Sequence, residues 1–225
     1  MTFSIAGRCA ETGQLGIAIS SSSIAVGARC PWARAGVGVV ATQNVTLPAL
    51  GPQILDLLES MKLAPAAALD RALGADGWSQ YRQVTVLDAQ GRAACFSGKE
   101  ALGIHHAVAG DQCVAAGNML AGIDVIEAMV SAFEHARGML AERLLAAMHA
   151  AIAAGGEAGP VHSAALRIVG DLSWPIVDLR VDWADDGPVA QLDSLWQAYR
   201  PQMQDYVTRA LNPTVAPSYG VPGDE

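Results

Sequence analysis

The sequence predicts an α+β fold in which two antiparallel sheets lie face to face with helices outside them. Three observations carry that prediction. Short apolar runs with period-two alternation arrive in closely spaced pairs, as hairpins do. Helical stretches with an apolar stripe also arrive in pairs, between the groups of strands. The run 35–43 is so apolar that a strand there needs cover on both faces. Two stacked sheets between helical layers satisfy all three.

In chain order, Phe3 and Ile5 alternate with small residues in a first strand, Glu11-Thr12-Gly13 supplies a turn, and Leu15, Ile17 and Ile19 mark one face of a second strand. Ser20 to Ser23 and a Trp-bearing bend, Cys30 to Arg34, lead to a third strand, 35–43. Leu50, Ile54, Leu57, Leu58 and Met61 define a helix from Pro48, and Pro65 opens a second one, ended by Gly74 and Gly77. Gln83–Asp88 and Arg92–Ser97 read as a hairpin about Gly91, and His105–Ala109 and Gln112–Ala116 as two short strands. Helices follow with stripes Val125, Ile126, Met129, Val130, Phe133 and Leu140, Leu144, Leu145, Met148, Ile152. Ala164–Val169 and Pro175–Val181 make a last strand pair, and Leu192, Leu195, Trp196 and Tyr199 a final helix. One domain is expected over 1–211, with 212–225 a loose or docked tail.

Composition narrows the function. Of 225 residues 52% are hydrophobic and only 16% charged, which suggests surface hidden in a homo-oligomer, most simply a dimer. The formal charge of −8 argues against a nucleic-acid partner, and neither a basic amphipathic helix nor a long apolar span suggests a membrane. With no signal-peptide pattern and four widely spaced cysteines, reduced core thiols and a cytoplasmic setting are expected. The five histidines show no ligand spacing, so neither metal nor cofactor is expected.

Chemistry is expected around the first 44 residues. Thr2 directly follows Met1, and removal of Met1 leaves an α-amine (pKa ~8) beside the Thr2 hydroxyl, a nucleophile with its own base; an edge-strand Thr is the plainer alternative. Asn118, after Gly117, either binds substrate or caps the following helix. Gln43 ends an apolar strand, where a polar amide either closes a hydrogen-bond network or faces a pocket. Arg29 and Arg34 flank Trp32, and either could hold a carboxylate. Small residues at Ser20 to Ser23 leave room near Thr2.

Taken together, Met1-Thr2-Phe3-Ser4-Ile5, Ala25-Val26-Gly27, Pro31-Trp32-Ala33-Arg34-Ala35-Gly36-Val37-Gly38, Val40-Ala41-Thr42-Gln43, Gly51-Pro52, Arg82-Gln83-Val84, Gly117-Asn118-Met119-Leu120 and Asp178-Leu179-Arg180-Val181-Asp182 resemble the family filed as domain of unknown function 1028. That family is similar in fold to the N-terminal-nucleophile hydrolases, a four-layer αββα sandwich. The resemblance implies an amide-bond hydrolase on a small amide or cyclic amide, with Thr2 as nucleophile and Asn118 beside it. Ser21, Arg34, Gln43 and Asn44 then hold the substrate. Ser22, Ser23, Leu47 and Leu50 depart from the family pattern, as does the stretch 156–163 with His162. These point to a smaller or less polar substrate, or to lost activity. Because Arg cannot shuttle protons near neutrality, Arg34 is no proton relay. Two other readings stay open: a non-hydrolytic small-ligand binding or assembly protein, and an enzyme without a Thr nucleophile in which Gln43, Asn118 and Arg34 orient substrate and water.

Overall fold

A computed structural model describes residues 1–221, and all that follows concerns those residues. Sixteen elements run in the order β1 (Thr2–Arg8), β2 (Leu15–Ser21), β3 (Pro31–Arg34), β4 (Gly38–Asn44), α1 (Leu50–Ser60), α2 (Pro65–Gly74), β5 (Arg82–Asp88), β6 (Ala93–Ser97), β7 (His106–Gly110), β8 (Cys113–Asn118), α3 (Asp124–His135), α4 (Leu140–Ala153), β9 (Ser163–Val169), β10 (Val177–Val181), α5 (Pro188–Tyr199) and α6 (Met203–Leu211) — ten strands and six helices that make the fold a mixed α+β one. One sheet has the order β10-β9-β2-β1-β8-β7 and the other β3-β4-β5-β6, with every neighbouring pair antiparallel.

The strand alternation places the core. On β1, Phe3 and Ile5 join Val125, Met129, Phe133, Leu144 and Met148 of α3 and α4. Ala6 turns the other way, meeting Leu15 and Ile17 of β2, Val39 and Ala41 of β4, and Leu87 of β5 between the sheets. On the outer face of the four-stranded sheet, Val40, Val84 and Val86 pack on Leu50, Ile54, Leu69 and Leu73 of α1 and α2. Gly51 lets α1 lie tight on β3, since a Cβ there would sit 2.2 Å from the Trp32 ring.

Two elements differ from the sequence expectation. Residues 31–34, expected as a bend, form β3, whose four residues pair with β4 from Pro31↔Ala41 to Arg34↔Gly38. A strand this short, opened by Pro31, shows too little alternation to be read. Beyond Tyr199 a further helix, α6, follows Pro201; its apolar residues Met203, Tyr206, Val207, Ala210 and Leu211 recur at helical spacing, though none of its residues is fully buried. Tyr206 of α6 stacks on Tyr199 at 6.0 Å, and Arg209 reaches the Pro217 carbonyl at 2.9 Å and covers the Tyr219 ring at 3.8 Å. The tail therefore folds back on α6 as far as Tyr219, while 222–225 lie outside the described residues.

The cysteines also need correcting. All four are free, but only Cys30 and Cys113 are buried; Cys9 is half-buried, and Cys95 is exposed on β6 at the edge of its sheet. No described helix is long and apolar enough to cross a membrane.

Candidate active site at Thr2

At one end of the space between the sheets the apolar filling stops. Thr2, Ser4 and Ala6 share the inward face of β1 by strand period, and their inward neighbours turn polar in the same direction: Ser21 after Ile19, Gln43 after Ala41, Asn118 after Val114 and Ala116, Gln83 before Leu87. All of these polar side chains are buried. Such groups need partners, and they find them across the sheets. Ser4 Oγ donates to Gln43 Oε1 at 3.1 Å, Gln43 Nε2 donates to Gln83 Oε1 at 2.9 Å, and Asn118 Nδ2 donates to the same oxygen at 3.0 Å. Gln83 Nε2 in turn donates to the Gly117 carbonyl at 2.9 Å and to Ser97 Oγ at 3.0 Å.

Asn118 faces Thr2 in the β1–β8 register. It ends β8 and caps no helix, because α3 starts only at Asp124. Its Oδ1 is buried without a partner, which leaves an acceptor available in the strand position opposite Thr2. Gly117 permits this close approach: a Cβ there would sit 2.7 Å from Leu120 Cδ2 and 3.1 Å from the Thr2 carbonyl oxygen.

The Thr2 hydroxyl donates to the Met1 carbonyl, and Ser21 Oγ donates to the same oxygen at 2.5 Å. The two hydroxyls lie 3.3 Å apart. Each carries one proton, already turned on Met1, so no proton is left for the contact between them while Met1 is in place. Ser21 also receives the Ser23 N–H at 3.1 Å and meets Ser23 Oγ at 2.8 Å, which ties the serine run to the site.

Glu157 completes the surroundings. It follows α4, is 5% exposed, and pairs with Leu120 in an isolated bridge. Its Oε2 accepts the Ser22 N–H at 3.2 Å, and its Oε1 is buried without a partner. Burial pushes its carboxyl up to about 7, against the opposing pull of the chain's amino group and of Ser22.

The structure thus brings Thr2, Ser21, Gln43 and Asn118 to one end of the inter-sheet space. Asn44 borders it, but its side chain fastens loops, donating to the Tyr81 carbonyl at 2.6 Å and accepting the Leu102 N–H at 3.2 Å. Arg34 is not brought there. It sits opposite Gly38, at the far end of β4 from Gln43 and roughly 16 Å from it along the strand. The carboxylates it holds are the protein's own, Asp56 at 2.8 Å and Glu59 at 2.6 Å on α1. Arg29 is spent on the Ile24 and Ala25 carbonyls. Among the described residues no group of three or more His, Cys, Asp and Glu side chains could hold a metal ion.

Three residues of this region escaped the sequence reading. Ser4 and Gln83 carried the same signal as Gln43, a polar side chain at an inward position of an apolar strand. Glu157 lies in the stretch 156–163 that departs from the family pattern, but nothing in that stretch singled out its carboxyl.

A family model described as a family of unknown function, DUF1028, matches residues 2–192. A member of that family from Silicibacter pomeroyi, SPO2555, has a crystal structure that this chain resembles at 32% identity and TM-score 0.82, with 88% of each chain covered. A structure of Anbu (ancestral beta-subunit) from Yersinia bercovieri is similar at 11% identity and TM-score 0.42, covering 90% of this chain and 96% of that one. The Gly-1 mutant of Anbu from Hyphomicrobium sp. strain MC1 is similar at 14% identity and the same TM-score, with 92% and 99% covered. Likeness at that level carries no functional argument. No curated protein matches the chain.

Proposed function

The chain belongs to the family of unknown function DUF1028, and on that premise we propose that it is an N-terminal-nucleophile-type amidohydrolase acting on a small amide or cyclic amide. Thr2 is the nucleophile once Met1 has been removed. The observation that carries the reading is the pair of hydroxyls, Thr2 Oγ1 and Ser21 Oγ, 3.3 Å apart and turned on one carbonyl. Acyl transfer needs this juxtaposition of a nucleophile and a hydrogen-bond donor around a carbonyl. The sheets packed through Ala6, Ile17, Val39 and Leu87, with α1 and α2 outside one and α3 and α4 outside the other, support a four-layer αββα sandwich. We take 1–211 as its single domain.

Without Met1, the Thr2 α-amine takes the hydroxyl proton, and Oγ1 bonds to the substrate carbonyl carbon. Ser21 Oγ, released from Met1, donates to the oxygen that gains charge. Asn118 Oδ1, opposite Thr2 and unpartnered, accepts from the α-amine and holds it beside its own hydroxyl. The protonated amine then gives its proton to the leaving nitrogen as the C–N bond breaks. Water attacks the resulting ester and loses its proton to the α-amine, and the carboxylic acid leaves as Thr2 Oγ1 recovers a proton. Gln43 and Gln83 stand behind Ser4 and Asn118 and fix where these groups point.

The test joins a mass to an activity. Protein expressed without an N-terminal tag should lack one Met, and a panel of small amides should include one turned over by wild type and not by Thr2→Ala. Retained Met1, or turnover that survives in Thr2→Ala, overturns the reading. One observation favours a second reading, a non-hydrolytic small-ligand binding or assembly protein: while Met1 is present its carbonyl occupies both hydroxyls. A full-length mass selects that alternative. We also carry the homodimer as a proposal; light scattering that returns the mass of a single chain refutes it.

A further inference from the structure

Resting on the Thr2 reading, we propose that Glu157 is the counter-ion for an ammonium group on the substrate, so that the amide attacked is that of a small α-amino acid. Met1 is an internal stand-in for such a group. Its carbonyl oxygen receives both hydroxyls, as the substrate carbonyl must. Its side chain lies against Gly159, where a Cβ would sit 3.4 Å from Met1 Cε. Its amino group, one carbon from that carbonyl, acts on Glu157 through charge. An α-amino acyl group has its carbonyl and its ammonium on the same Cα and therefore retraces these atoms.

The carboxyl is built to receive a cation. Glu157 is 5% exposed, spends one oxygen on the Ser22 N–H, and keeps the other buried and unpartnered. A buried carboxylate with an open oxygen is unfavourable until a donor or a cation fills it. The N–H it accepts belongs to the residue after Ser21, so the ammonium and carbonyl positions are joined by one stretch of backbone. The loop carrying Glu157 also walls a cavity of about 300 Å³ whose lining includes Asp185 and Asp186 and no Lys or Arg. The lining includes none of Met1, Thr2 and Ser21, so this cavity adjoins the carbonyl position rather than holding it, and its acidic wall draws a cationic molecule toward Glu157. His149, the one basic side chain of the lining, is already engaged with Asp193 at 3.3 Å.

The experiment measures binding first and turnover second. Thr2→Ala protein, shown by mass to lack Met1, is titrated calorimetrically with L-methioninamide and with N-acetyl-L-methioninamide. The free amine should bind at least tenfold more tightly, the double variant Thr2→Ala/Glu157→Gln should lose that preference, and Thr2→Ala/Glu157→Asp, which keeps the charge, should retain it. Equal affinities, no binding of the free amine, or a preference that survives Glu157→Gln overturns the proposal. Binding with the expected preference but no hydrolysis of L-methioninamide by wild type refutes the nucleophile reading and leaves the ammonium site standing. Retained Met1 overturns both, since it fills the site.

Discussion

Replacing Glu157 by Gln should make the protein more stable at alkaline than at mildly acidic pH, relative to wild type. Burial moves this carboxyl from its ordinary 4.5 to about 7. Between those values the folded chain keeps the proton and the unfolded chain releases it. The unfolded state therefore binds fewer protons, and stability falls as pH rises through that window. It is fully present below 4.5 and lost above 7. At about 1.4 kcal/mol per pH unit the whole loss is about 3 kcal/mol, of which about 1 kcal/mol is already felt at pH 5.5. Some 2 kcal/mol should then separate the effect of Glu157→Gln at pH 8 from its effect at pH 5.5, roughly the linkage integral between those values. Gln can still accept from Ser22, but its new amide N–H groups carry their own burial cost, typically about 1–3 kcal/mol. That cost does not vary with pH, so the difference between the two pH values isolates the carboxyl. Urea unfolding of both proteins, in the same N-terminal form as checked by mass, measures it. An equal effect at both pH values, or a larger gain at pH 5.5, refutes the reasoning.

Ser21→Ala should lower kcat on any amide the wild type hydrolyses by about 10²-fold, the usual loss of one oxyanion donor, with a smaller effect on KM. Gln83→Leu should cost roughly 3 kcal/mol or more in urea unfolding, because it strands Gln43 Nε2, Asn118 Nδ2 and the Gly117 carbonyl in a buried place. Arg34→Ala should change stability by less than about 1 kcal/mol and leave kcat/KM unaltered, since its partners Asp56 and Glu59 are 66% and 51% exposed. A large activity loss in Arg34→Ala would restore the placement near substrate that the sequence suggested.

How much of this was legible in the sequence follows from how each feature is encoded. The hairpins and the paired amphipathic helices rest on local periodicity, so β1, β2, β4 to β10 and α1 to α5 could be read directly from runs such as Leu15, Ile17, Ile19 or Val125, Ile126, Met129. Helix α6 carries helical spacing in Met203, Tyr206, Val207, Ala210 and Leu211, but it is only nine residues long and none of them is fully buried, and β3 is held by its pairing to β4 rather than by its own pattern. Arg34 was misplaced for a related reason. A strand's direction decides which of its ends meets the site, and nothing local to Trp32 states that β3 runs away from Gln43.

The site divides the same way. Thr2, Ser21, Gln43 and Asn118 are each a polar residue at the end of an apolar alternation, and that is a sequence signal. Gln83 has the same signal at the start of its strand. All five therefore follow from one rule: where an apolar interface between sheets turns polar on several strands at once, the change is concerted. A single buried polar group can be satisfied by one chance partner, but five at one end must satisfy each other. Here they do so almost completely, leaving Asn118 Oδ1 open on the strand opposite Thr2. Glu157 lies outside the rule. A carboxylate in a loop is ordinary until the fold buries it, and burial is a property of the packed chain. Its open oxygen is the second acceptor left unfilled around Met1. Other buried polar atoms, such as Thr42 Oγ1 and Thr85 Oγ1, are also without partners, so an open acceptor alone marks no site. What sets Asn118 and Glu157 apart is their place, the first opposite Thr2 and the second on the Ser22 N–H beside Ser21, where the Thr2 α-amine and a substrate ammonium would each supply a donor.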